Sequence, residues 1–382
     1  MLPKVIIGYS NGNLLALIAA LDGIAGIIGT CQTAGLKGSP KQIFSLADAE
    51  SKGFTAQAEP DFHRHLSEFY EQIGGNQELW IMGVDDDMTM TQMLDSTVEG
   101  SAIKLIKAAN GKIRLLGTFR KPAVGYNAGA DFLDADVSAA VLKAKTFCEG
   151  RLAELMPLRV LIEGRVTTEA SATIYEPKSA NVGFAGVVLG GSKSDGSASV
   201  GAALGRAVKY AAHVKLGKVA NGPLTLSKVY IGSKEISELS NLADLHGKGY
   251  ISFMQHPNKA GFYFGIDRMA STDDFRLLAY GRVIDKAAVI AAGVYVEELE
   301  SEVDVDPNTG HIRELDIEHL KGQITQQISL HMADQISGVE VLIDPLQDIV
   351  NTSVLKVKLK ITPKGYTSTI EVEIGLNAPA IG

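Results

Sequence analysis

Five short runs, apolar throughout but for Arg114, constrain this chain more than any other feature: Ile24–Gly29, Leu79–Val84, Ile113–Gly117, Val160–Ile162 and Phe184–Leu189. Apolar residues at every position, rather than at every second one, suit strands covered on both faces of a sheet. Between the runs the spacing becomes helical. Asp61–Ile73 places Phe62, Leu66, Phe69, Tyr70 and Ile73 three and four residues apart and stops at Gly74-Gly75; Val137–Leu155 and Gly201–Leu216 read the same way. Strands alternating with helices predict an α/β layer on a largely parallel sheet. The chain has 382 residues, 46% of them hydrophobic. Single cores stop growing near roughly 250 to 300 residues, so two domains are expected.

After about residue 268 the texture changes. Phe275–Val296 reads as a long helix, Val305-Asp306-Pro307-Asn308-Thr309-Gly310 as a turn-rich linker, and Asp316–Ile336 as a second helix ended by Gly338. The tail alternates with period two. Leu355, Val357, Leu359 and Ile361 interleave with Lys356, Lys358 and Lys360, and beyond Pro363-Lys364-Gly365-Tyr366 the residues Ile370, Val372 and Ile374 interleave with Glu371 and Glu373. The pattern predicts a hairpin with its Lys and Glu rows on one face. One strand pair is marginal in water, so such a hairpin joins a larger sheet or exchanges strands with another chain. At the other end Val5–Tyr9, β-branched and followed by Ser10-Asn11-Gly12-Asn13, reads as a short extended arm.

Composition narrows the function classes. A formal net charge of −8 without a basic block argues against nucleic-acid binding. The most apolar stretch, Leu14–Gly29, is interrupted by Asp22 and glycines and is shorter than the roughly 20 residues that span a bilayer. It also lacks the layout of a signal peptide, so synthesis in a cytoplasm without membrane insertion is expected. Cys31 and Cys148 have no CxxC partner and read as buried small hydrophobes. Asp85 and Asp87 form an Asp-x-Asp pair after an apolar run, which leaves a metal- and nucleotide-dependent α/β enzyme as the alternative reading. In Gly190–Ser197 the final glycine is followed by Ser197-Ala198 rather than by the Lys-Ser/Thr step of a phosphate loop, and His63 and His65 point to different helix faces. No Gly-x-Ser-x-Gly elbow occurs, and no catalytic, cofactor or metal site is expected.

Several segments, weak singly, form a specific series in this order. They include Ile24–Thr30, Gly74-Gly75 leading to Leu79-Trp80-Ile81, Gly261-Phe262-Tyr263-Phe264, Asp267–Ala270, Asp274-Phe275-Arg276 and Gly281–Ala287. Ile336–Val339, Ile343-Asp344-Pro345, Thr352-Ser353 and Ile374–Asn377 complete the series. In these residues the chain resembles tail sheath proteins of contractile-tail bacteriophages and related contractile injection systems, tightly over Gly261–Ala380 and loosely between Asp85 and Ala198.

The resemblance implies a non-enzymatic sheath subunit that polymerises helically around an inner tube and contracts to drive it through an envelope. It implies an outer α/β, sandwich-like domain over residues 21–268 and an inner α+β domain over 269–382. Strand arms flank them at 1–20 and 366–382. The arms, represented by Val5, Ile6, Ile7, Ile370, Glu371, Val372, Glu373, Ile374 and Leu376, would add to neighbouring sheets. Lys356, Val357, Lys358, Leu359 and Lys360 would form the receiving sheet. A helix carrying Glu314, Glu318, Lys321 and Gln327 would face the tube. Expected partners are further copies of the chain, the tube protein, and baseplate and terminator or cap proteins, in a virion tail or injection-system sheath. The machine's type stays open at this point, as does a non-contractile filament.

Overall fold

The structure, a computed structural model, describes residues 24–121, 133–166 and 175–373. An eight-stranded sheet of order β10-β9-β6-β5-β4-β1-β3-β2 organises the first two thirds. Its strands are β1 (Ala25–Thr30), β2 (Lys41–Ile43), β3 (Leu79–Val84), β4 (Leu115–Phe119), β5 (Arg159–Gly164), β6 (Ala185–Leu189), β9 (Tyr250–Met254) and β10 (Tyr263–Phe264). The strands from β3 through β9 run parallel, and only the edges β2 and β10 are antiparallel. Every residue of β1, β4, β5 and β6 is buried, so both faces are covered and the continuous apolar runs have their physical cause. A separate short hairpin, β7 (Tyr230–Ile231) and β8 (Lys234–Glu235), lies outside this sheet.

Short helices α1 (Leu46–Ser51) and α3 (Met90–Met93) accompany the longer α2 (Pro60–Ile73), α4 (Ala102–Ala108), α5 (Ala135–Ala153), α6 (Val200–Val208) and α7 (Leu242–Lys248). Local signals set their ends. Pro60 opens α2, where its missing N–H costs nothing, and Gly74 closes it in the left-handed region at φ +74°. Thr89 and Gln92 form a capping box on α3, and the Asp136 carboxylate accepts the Met90 and Thr91 N–H groups at 2.7 and 3.0 Å. Helix α6 ends at Val208, well before the expected Leu216, and β2, β9 and β10 are strands outside the five apolar runs.

The last third builds a smaller unit from α8 (Leu278–Tyr295), α9 (Glu314–Met332), β11 (Ile336–Ile343), α10 (Ile349–Thr352) and β12 (Val357–Pro363). Here the structure corrects the expected tail hairpin: β12 pairs antiparallel with β11, and residues 364–373 form no strand. The region read as the end of a helix, Ile336–Val339, is instead the start of β11. A register shift between Ile336 and Gly338 breaks its alternation. With that bulge, Ile336, Val339, Val341 and Ile343 all turn inward, which a strict period of two would not show.

The two parts are locked together by Arg159 of β5. Its guanidinium donates to both oxygens of Asp285 on α8 at 2.7 and 2.6 Å and to the Gly183 carbonyl at 2.9 Å. Gly281 lets α8 approach, since a Cβ there would stand 2.8 Å from Arg159 Nε. Asp267, fully buried, accepts the Ala279 N–H near the start of the same helix.

Candidate assembly surface

The two-stranded sheet has one covered and one open face. Val339, Val341, Leu359 and Ile361 pack against Val283, Ala287, Ile290, Ile324, Ile328 and Met332 from α8 and α9. Lys356, Lys358 and Lys360 alternate outward as expected, and Lys360 meets Glu340, its register partner, at 3.0 Å. Both side chains are about half exposed, so this pair contributes little stability and mainly marks register. Lys356 precedes β12 and is held by Gln347, whose amide accepts its N–H at 2.6 Å and donates to its carbonyl at 2.9 Å. That side chain continues the ladder where the backbone pairing stops.

Beyond that, neither outer edge of the β11–β12 pair has a strand partner among the described residues. A bare edge is a row of unpaired N–H and C=O groups, a template for another strand. Leu342 is exposed on the open face, and Leu346, Val350 and Val354 are exposed in the connection to β12. In all, nine of the thirteen exposed large apolar side chains among the described residues fall between Leu299 and Val372.

The other expected interface residues are dispersed. Ile370, Glu371, Val372 and Glu373 are exposed and form no strand, while Val5, Ile6, Ile7, Ile374 and Leu376 lie outside the described residues. On α9, Glu314 and Glu318 are exposed, and Lys321 pairs with Glu318 at 2.8 Å. Gln327 is half-buried, with Oε1 buried and without a hydrogen-bond partner among the described residues. The outward face instead carries Leu315 and Leu330, 79% and 70% exposed, with His319, Gly322 and Gln326 between them. The helical period had marked Ile317–Ile336 as core and left these two leucines unnoticed.

Asp85 and Asp86 pair with Lys37 at 3.3 and 3.6 Å on a surface loop, and Asp87 is exposed. No three metal-ligating side chains converge among the described residues. The polar cluster at the carboxyl ends of the strands was missed, because its members are far apart in sequence. Glu163 lies 3.4 Å from Arg165 and 3.9 Å from Arg64 and accepts the Arg120 and Ala198 N–H groups at 3.2 Å. Burial pushes its carboxyl upward against the pull of the two arginines. His65 beside it is pushed well below the ordinary histidine value, first by burial and then by Arg64 and Arg165. These groups pair with one another within the fold, leaving Arg64 Nε buried without a hydrogen-bond partner among the described residues, at the strand ends where open α/β sheets commonly bind ligands.

Family models match the chain in two blocks: DUF2586, N-terminal domain, over residues 2–268, and DUF2586, C-terminal domain, over residues 274–380. The chain belongs to the DUF2586 family. No curated protein matches it. Among solved structures, this DUF2586 protein is similar to a chain of the anti-feeding prophage helical sheath in the contracted state. The TM-score is 0.61 at 14% identity, covering 99% of each chain. A chain of the sheath complex of an extracellular contractile injection system, also contracted, gives 0.59 at 12% identity over 99% and 98% of the two chains. A chain of the anti-feeding prophage baseplate gives 0.61 at 13%, over 98% and 97%. The DUF2586 chain therefore shares a mixed α/β fold, rich in parallel strands, with proteins of contractile sheaths. The match runs end to end, through the C-terminal unit as well as the sheet.

Proposed function

We propose that this DUF2586 protein is a structural subunit of a contractile sheath, which polymerises around an inner tube and contracts to drive it through an envelope. The carrying observation is the end-to-end likeness to sheath chains, joined to a C-terminal sheet whose two edges have no strand partner among the described residues. In this reading residues 21–268 form the outer domain and 269–382 the inner one. The arms at 1–20 and 366–382, with Val5–Ile7 and Ile370–Leu376, add strands to the β11–β12 pair of neighbouring copies. Lys356–Lys360 then forms the receiving edge. Helix α9 faces the tube through Glu314, Glu318, Lys321 and Gln327, and baseplate and terminator proteins close the ends of the polymer. The work of contraction comes from a difference in contact free energy between two packings of the same subunits, so no catalytic centre is required.

Deleting Thr367–Gly382 tests this. The expected result is a folded protein, by circular dichroism, that forms no tubes on negatively stained grids where the full chain does. Tubes of normal appearance from the truncated protein would refute the strand-exchange reading. Discrete compact oligomers from the full chain under all assembly conditions would count against a sheath altogether.

A further inference from the structure

A cleft of about 900 Å³ lies where residues 213–219, α7, the β9–β10 region and residues 364–368 meet. Its wall contains Lys215, Lys218, Arg268 and Lys364 together with His246 and His256, and among the described residues no Asp or Glu lines it. In a chain of net charge −8 this is a local reversal of sign, and a concave wall focuses such a field.

Of the four cations, Lys215 alone reaches a carboxylate, lying 3.7 Å from the buried Asp267. Lys218, Arg268 and Lys364 form no ion pair among the described residues. Two buried polar atoms of the wall, Arg268 Nε and His256 Nε2, also lack hydrogen-bond partners. Glycines let the backbone of the wall pack closely. A Cβ on Gly265 would lie 2.0 Å from the His246 ring, and one on Gly217 would lie 2.2 Å from the Gly265 carbonyl oxygen.

We infer that this cleft binds a small multivalent oxyanion of the phosphate or pyrophosphate class. Its volume falls within the range of small-molecule sites, about 300 to 1,000 Å³. Charged donors from three separate segments converge on it, which suits a ligand with several anionic oxygens better than a single halide. One donor is special. Lys364 belongs to the segment after β12, whereas Lys218 and Arg268 belong to the body. A bound oxyanion thus ties that segment down beside Tyr366, whose hydroxyl donates to the His213 carbonyl and whose ring lies 5.5 Å from that of Tyr280. If the chain exchanges its C-terminal strand, as the sheath reading holds, the anion favours the form that keeps its own arm. The binding itself does not depend on that reading.

The test uses the full, unpolymerised chain with inorganic pyrophosphate, against sodium chloride at matched ionic strength. Saturable heat in calorimetry is expected, with a rise in melting temperature of at least ~2 °C at saturation. Hydrogen exchange is expected to slow at residues 364–373. The double variant Lys218→Glu/Lys364→Glu is expected to lose the heat and the temperature shift. Binding no stronger than matched salt, or unchanged in a folded double variant, overturns the inference. Should that variant fail to fold, amine acylation of the wild-type chain decides: pyrophosphate must protect Lys218 and Lys364 but leave Lys112 reactive, and equal labelling overturns the inference. Because no tube formation is read, failure here leaves the sheath proposal standing, and failure of that proposal leaves this result intact.

Discussion

At the scale of single residues, the pair Arg159–Asp285 carries the contact between the main sheet and α8. Both side chains are nearly inaccessible, with exposures of 3% and 6%. Removing one partner strands a buried charge, so Arg159→Met is expected to lower unfolding free energy by about 3–5 kcal/mol, read as a lower urea midpoint. Arg159→Met combined with Asp285→Leu is expected to recover most of that loss, because the stranded charge is gone. A single variant as stable as wild type would show that the pair does not bind the units. His65 gives a pH signature. Its Nδ1 faces the Gly201 N–H at 3.3 Å and its Nε2 faces Arg64 at 3.1 Å, both donors, so a ring carrying two N–H groups has no acceptor there. The folded ring stays neutral where the unfolded ring takes up a proton below its ordinary value of 6.5. Its contribution is therefore full above pH 6.5 and falls as pH drops below it, by about 1.4 kcal/mol per unit until the folded ring also titrates. His65→Gln is expected to flatten that limb of the stability–pH curve whatever its effect at pH 8. A limb of unchanged slope would mean other groups account for it.

Between elements, α2 and α6 approach through glycine. A Cβ on Gly201 would lie 2.0 Å from the His65 carbonyl oxygen, and one on Gly205 would lie 2.5 Å from that of Phe69. The obstructing atoms are backbone, so no rotamer change relieves the clash. Gly201→Ala is expected to destabilise by about 3 kcal/mol or more, at the upper end of overpacking effects, in urea unfolding. Gly322, exposed on α9 with open space around it, is the matched contrast. There alanine improves helix propensity and is expected to stabilise the subunit by about 0.5–1 kcal/mol. The same sign at both sites would discredit the close-approach argument.

For the whole molecule the notable asymmetry is where apolar surface remains uncovered. Leu315 and Leu330 touch little within the subunit, so replacing both with glutamate is expected to change subunit stability by no more than about 0.5 kcal/mol per site. In a sheath that covers this face the same variant is expected to form few or no tubes on electron micrographs. Normal tubes from it would remove α9's outer face from the assembly contacts. A large loss of subunit stability would instead show that the leucines belong to the fold.

The amino-acid sequence by itself determined the elements whose signal is local. The strands β1, β3, β5 and β6 are apolar at nearly every position because both faces are covered. Helix α2 shows its period and both of its stops, and the outward Lys row of β12 shows its alternation. The ordered resemblance to sheath proteins likewise agrees with the fold. Tertiary structure alone decided who pairs with whom. Strand β12 takes β11 rather than residues 370–373, a pairing hidden from the sequence because a bulge at Ile336–Gly338 breaks β11's alternation. The buried Glu163 cluster, the Arg159–Asp285 lock and the basic cleft join residues distant in the chain. Charge and burial act through space, so a one-dimensional pattern leaves no trace of them until the sheet brings those residues together.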